Sequence, residues 1–274
     1  MLPEIVFFGK PIGTYTLLAL IGGLIAAYCF IKAVVRRGQR DYQAVFFLLW
    51  VILGVLVGGH LLYAIVNIGT LPMRLKAEGF LGLVGLFGGS VFYGGLIGGI
   101  VAGLISIKVM KVDLLTYSAC MAPVIPLFHA IARVGCFLGG CCYGVVSEFG
   151  FVVRGNPYVP FVNGISRFPV QLLESGLNLI LSAVLFFLLK KSDKSDKLKS
   201  SMLRIYLMSY ACIRIFTEFF RGDIYRGFIG PLSTSQFISI IILIVCIASY
   251  VLPKFVKTKR VSVRRSVFKD TAQL

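Results

Sequence analysis

Seven apolar stretches, at about residues 12–35, 42–66, 80–110, 114–138, 170–189, 202–220 and 234–253, leave this chain little freedom in what it can fold into. Each is long enough, as a helix, to cross the roughly 30 Å hydrocarbon layer of a bilayer. The fold class expected is therefore an all-α polytopic membrane protein with about seven transmembrane helices. Only 14% of the residues are charged and 58% are hydrophobic, against about 25% charged in a soluble domain. No separate soluble domain fits between the spans. The opening MLPEIVFFGKPIGTYT has neither a basic leader nor a small-residue cleavage site, so the first span is expected to act as an uncleaved anchor.

The formal charge of +17 raises the question of a nucleic-acid partner. Its placement excludes one. Nineteen lysines and arginines fall on one side of the alternating spans and seven on the other. That asymmetry puts the N-terminus outside and the C-terminus in the cytoplasm, and the basic surface attracts anionic lipid. The organisation expected is a transmembrane domain over residues 1–253 and a basic cytoplasmic tail over 254–274, with KKSDKSDKLKSS (190–201) as a cytoplasmic loop. The Gly- and Pro-rich stretch from Gly144 to Arg167 is too polar to span and reads as a small outer-face loop or arm.

Charge inside the spans is the functional signal. Arg133 lies in HAIARVGCFLGGCCYG, and Arg214 and Glu218 lie in YLMSYACIRIFTEFF. One arginine at a helix centre costs about 3 kcal/mol on insertion, so such residues are paired, water-facing and functional as a rule. Arg214 and Glu218 are four residues apart and share a helical face, with Tyr210 a turn earlier and Arg221 a turn later. One glutamate cannot neutralise two buried arginines. Two readings are open here: Glu174 is a second partner and the arginines lock helices together, or the arginines face a common cavity and bind a lipid phosphate.

The other candidates are weaker taken alone. Glycine pairs around Tyr93 in FYGGLIGG would let a headgroup or a facing helix approach its hydroxyl. His129 lies four residues before Arg133 and is a candidate base. His60 and His129 offer no metal-ligand spacing, and no metal or cofactor is expected. Cys136, Cys141 and Cys142 cluster at the end of the fourth span. They read first as packing residues or a disulfide, next as a catalytic thiol, and last as a metal site.

The run ARVGCFLGGCCYG resembles the signature G-R-x-G-N-F-x-N-G-E-x-x-G of the bacterial prolipoprotein diacylglyceryl transferase family. GTYTLL, FYGGLIGG, FPVQLLES, YACIRIFTEFFRGD and LSTSQFIS resemble further motifs of that family in the same order, from about Tyr15 to the last span. The resemblance implies an enzyme of a bacterial plasma or inner membrane, which moves the diacylglyceryl group of phosphatidylglycerol to a prolipoprotein cysteine thiol and releases glycerol phosphate. It matches Arg133 and Arg214 to the family's essential arginines, and Glu218 and Arg221 to conserved positions beyond the second. Tyr15 and Tyr210 match tyrosines of the substrate cavity. Three positions depart from the pattern: Tyr93 stands for histidine, Cys136 for asparagine and Cys141 for the signature glutamate. The donor half of the site is thus retained and the acceptor half changed. A hydroxyl or glycan acceptor, and a non-catalytic lipid-binding or translocating protein, are the alternatives.

Overall fold

The computed structural model describes residues 2–7, 9–154, 156, 159–223 and 227–251. The basic tail expected over 254–274 lies outside them. The described chain is mostly helical, with helices α1 (Thr14–Val35), α2 (Asp41–Val66), α3 (Leu71–Glu78), α4 (Phe80–Gly85), α5 (Phe92–Met110), α6 (Leu114–Gly139), α7 (Val170–Ser192), α8 (Asp196–Glu218) and α9 (Thr234–Val251). Three two-stranded antiparallel ribbons complete it: β1 (Glu4–Phe7) with β2 (Lys10–Gly13), β3 (Val146–Val152) with β4 (Ser166–Arg167), and β5 (Phe228–Ile229) with β6 (Leu232–Ser233).

Among the described residues, six helices (α1, α2, α5, α6, α7 and α9) are long and apolar enough to cross a membrane. The stretch expected as one span over 80–110 is broken: α4 ends at Gly85, and α5 starts only at Phe92. The sequence between, LFGGSV, carries two glycines and a serine, poor residues for continuing a helix. The stretch expected over 202–220 is helical but starts earlier, at Asp196, because the Ser195 hydroxyl caps the Leu198 N–H.

The chain divides into two units, with the boundaries inside α1 and α6. The unit of Ala27–Met121 is built on α2 and α5, which meet through glycines. A Cβ on Gly54 or Gly98 would overlap the other residue's carbonyl oxygen, and Gly58 and Gly94 stand in the same relation. Only residues without side chains let two backbones come this close. Phe30, Phe47 and Tyr117 form an aromatic core in this unit, with centroids 5.1–5.8 Å apart.

The other unit, Met1–Ala26 with Ala122–Leu274, is held by polar contacts as well as packing. Ser175 Oγ donates to the Ala130 carbonyl at 2.7 Å and Ser182 Oγ to that of Pro123 at 2.8 Å, tying α7 to α6. Gly22 of α1 faces Ile131 and Phe128 of α6. The arm expected after Gly144 is present as the β3–β4 ribbon and a small core of Tyr143, Val153 and Val162.

Candidate functional site: an arginine–carboxylate network beside a cysteine cluster

α7 brings a polar stripe into an otherwise apolar helix. Gln171, Glu174, Asn178 and Ser182 recur every three or four residues, so they share one face, and all four are buried. Glu174 is the centre. Its Oε1 accepts from Arg214 Nη1 at 2.6 Å, and its Oε2 pairs with Arg133 Nε. Arg221 Nη1 approaches the same Oε1 at 3.9 Å. α8 supplies Arg214 and Glu218 from one face, and Arg214 Nη2 reaches Glu218 Oε2 and Ser235 Oγ, each at 2.9 Å. Arg221, just past the end of α8, is held by Asp223 at 2.9 and 2.5 Å.

Arg133 and Arg214, on different helices, therefore converge on one carboxylate. Arg133, Arg214 and Arg221 face Glu174, Glu218 and Asp223, so the formal charges balance. Removing one member of such a set would leave an uncompensated buried charge, at a cost of about 3–5 kcal/mol. The arginines differ in what is left over. Arg214 has both terminal nitrogens committed and its side chain is 9% exposed. Arg133 is 21% exposed, and its Nε pairs with Glu174 Oε2. Its terminal fork donates no hydrogen bond to a carboxylate among the described residues; Nη1 lies 3.9 Å from Cys136 Sγ. A guanidinium held by one edge presents the other to a phosphate in a two-point geometry.

The C-terminal end of α6 places the cysteines. The Gly140 N–H returns to the Phe137 carbonyl and the Cys141 N–H to that of Cys136, at 3.2 and 3.1 Å. This paired closure, with Gly140 at φ +71°, is the Schellman cap, and it folds Cys141 back over Cys136. Asn156 braces the cap by donating from Nδ2 to the Gly139 carbonyl at 3.1 Å. Cys142 then takes φ +53°, a left-handed conformation rare outside glycine. The three sulfurs lie within 4.8 Å of one another, and all seven cysteines are free thiols. Hydrogen bonds from Cys136 and Cys141, with the charges of Arg133 and Arg221, hold the Cys142 thiol well below the usual thiol range.

The following segment is clamped. Gly144 passes so close to the Phe168 carbonyl that a Cβ there would collide with it, and would press on that of Phe220. Val145 N–H donates to Phe220, Phe168 N–H to Val145, and Gly222 N–H to Tyr143, all at 2.9–3.0 Å. Gln171 Nε2 adds a 2.8 Å bond to the Cys141 carbonyl. The arm, the cysteines and Arg221 are thereby fixed to α7 and α8.

The other sequence candidates fall in three places. Tyr15 packs on the Gly135–Gly139 face of α6, within electrostatic range of Arg133 and the three thiols. The His129 and Tyr210 rings meet tilted at 5.2 Å, and Tyr210 stacks on Tyr206 at 5.8 Å. The Nδ1 of His129 is buried and finds no hydrogen-bond partner among the described residues. Tyr93 belongs to the other unit, as the second residue of α5. Sequence reasoning named Glu174 only as a possible counter-ion, and passed over Gln171, Asn156, Asp223 and Ser235. The spacing of Gln171, Glu174 and Asn178 within an apolar run was a usable signal for the first two. Asn156 and Ser235 carry none, since their partners Gly139 and Arg214 lie in distant segments; Asp223 stands two residues from Arg221, a local pairing open to view in the sequence.

These features define a class: a multi-span membrane protein whose buried charges gather at one arginine–carboxylate site. Residues 3–252 match the family described as prolipoprotein diacylglyceryl transferase, and the chain belongs to that family. It is 32% identical over 255 residues to a phosphatidylglycerol–prolipoprotein diacylglyceryl transferase of Clostridium tetani, covering 91% of this chain and 96% of the relative. A second relative so named, from Clostridium perfringens, is 32% identical over 86% of this chain and 89% of its own length. One from Geobacter sulfurreducens is 31% identical over 81% and 84%.

Proposed function

We propose that this chain transfers the diacylglyceryl group of phosphatidylglycerol to the cysteine thiol of a prolipoprotein, releasing glycerol phosphate, in a bacterial plasma or inner membrane. The relatives' names supply the reaction. The single observation that carries it to particular residues is the shared Glu174, which draws Arg133 and Arg214 together while the Arg133 side chain stays 21% exposed.

In this reading the Arg133 fork takes two oxygens of the phosphodiester. The acceptor thiol gives its proton to solvent, and its sulfur attacks the terminal glyceryl carbon of the diacylglyceryl group. The C–O bond to phosphate breaks, and its electron pair leaves on glycerol phosphate. The phosphate gains a negative charge in that step, so a cation already in position stabilises the transition state more than the ground state. Arg214 acts through Glu174, and Glu218 holds Arg214. Tyr210 and Tyr15 line the lipid side, with His129 as a further candidate for contact with the acceptor.

α8 is read as the seventh span, with the N-terminus outside and the C-terminus cytoplasmic, as the nineteen-to-seven split of basic residues requires. Residues 1–253 are read as the transferase domain and 254–274 as a basic cytoplasmic tail. Purified protein given labelled phosphatidylglycerol and a peptide bearing a lipoprotein signal cysteine should yield glycerol phosphate and a diacylglyceryl peptide. A serine peptide tests the hydroxyl-acceptor alternative. Binding of lipid without any release would leave only the non-catalytic reading.

A further inference from the structure

We propose that Cys136, Cys141 and Cys142 bind a zinc-like, redox-inert soft divalent cation whose remaining coordination position takes the sulfur of the acceptor cysteine. The inference rests on the transferase reading and deepens it, because it assigns the acceptor half of the site.

The geometry comes first. The three sulfurs lie within 4.8 Å of one another. Tetrahedral zinc–thiolate bonds of about 2.3 Å would place them about 3.8 Å apart, a closure of about 1 Å. The backbone around them is built to hold that arrangement. A Schellman cap turns Cys141 onto Cys136, buried Asn156 braces it, and Gln171 holds the Cys141 carbonyl. Cys142 occupies a left-handed conformation at φ +53°. For a residue that is not glycine this conformation is strained, and such strain collects at functional sites. Packing alone explains none of this: a small hydrophobe needs neither two like neighbours nor a strained backbone.

Charge and chemistry agree. The arginine–carboxylate network is already neutral, so three thiolates alone would add three negative charges. With a divalent cation the cluster carries one, next to the Arg133 fork, 3.9 Å from Cys136 Sγ. Three protein ligands with a fourth position open is the pattern of zinc sites that act on a bound molecule. A thiol entering that position gives its proton to solvent and remains a nucleophilic thiolate at neutral pH. Its electron pair then forms the carbon–sulfur bond as the carbon–oxygen bond breaks towards the phosphate on Arg133. No oxidant or reductant is needed, and soft sulfur is favoured over a hydroxyl at this cation. This departs from the expectation from sequence, in which packing or a disulfide came first.

The test uses the full-length protein in detergent, reduced, stripped with a chelator and titrated with cobalt(II). The expected result is one cobalt per chain with thiolate-to-cobalt charge-transfer bands. A cysteine peptide should shift the visible cobalt bands, and a serine peptide should not. Cys136→Ser and Cys141→Ser should weaken the charge-transfer bands, while Cys212→Ser, on an exposed position of α8, should leave them intact. Absence of thiolate bands in the reduced wild type, or bands indifferent to the cysteine peptide, overturns the proposal without recourse to any variant. Stripping zinc should also slow glycerol phosphate release by about a hundredfold or more, the size of a lost proton-transfer contribution. Equal release from stripped and loaded protein would overturn the cation's role and leave the donor reading standing. No release from either would overturn the donor reading and with it the cation's catalytic part; the cobalt spectrum would still decide the site.

Discussion

The α2–α5 pair and the α6–α7–α8 assembly answer the same problem, helix association in lipid, by opposite means. In the first, glycines at 54, 58, 94 and 98 bring backbones together, and the attraction is dispersion between close surfaces. In the second, Glu174 draws Arg133 and Arg214 together, with serine hydroxyls tying α7 to α6. The first device tolerates no added volume and carries no charge. The second tolerates no missing charge, and it leaves an arginine edge open to a ligand. Chemistry is available only where the chain has accepted the expense of burying charge.

The largest effect that would sharpen this contrast is expected from Glu174→Gln. It should destabilise the protein by about 3–5 kcal/mol, since two guanidinium groups lose their shared counter-charge; unfolding in detergent measures it. Gly98→Val should follow, near the upper end of overpacking penalties at about 3 kcal/mol, through collision with the Gly54 carbonyl. An unchanged unfolding transition in that variant would break the account of the glycine pair. Asn156→Ala should cost about 2 kcal/mol, because buried backbone groups at 139 and 159 lose a partner. Hydrogen exchange at the end of α6 would report it. Ser182→Ala should cost least, about 0.6 kcal/mol, the usual size of a hydroxyl bond between membrane helices.

Much of the first device was legible from sequence, because glycine spacing in FYGGLIGGIVAG advertises a close-approach face. Where helices stop was less legible. Hydropathy averaged over 80–110 conceals the break between Gly85 and Phe92, since LFGGSV stays apolar while losing helix propensity. For the site, intramembrane charge singled out Arg133, Arg214 and Glu218 without help from structure. The centrality of Glu174 was not visible, because nothing local says that one carboxylate serves two arginines 41 and 40 residues away. The cysteine trio shows the same limit. Its proximity depends on a cap closure and on the left-handed Cys142, both backbone facts that spacing alone does not carry.

The role of the Arg133 fork is open to direct measurement through the turnover of phosphatidylglycerol by Arg133→Lys and Arg133→Ala, each beside its own unfolding curve. Lysine keeps the charge but not the two-point geometry. The expected result is a fall in kcat of about 10²–10³ in both variants, the usual loss for one transition-state donor, with lysine falling less than alanine. Arg133→Ala turning over at the wild-type rate would contradict the assignment of the phosphate to that arginine.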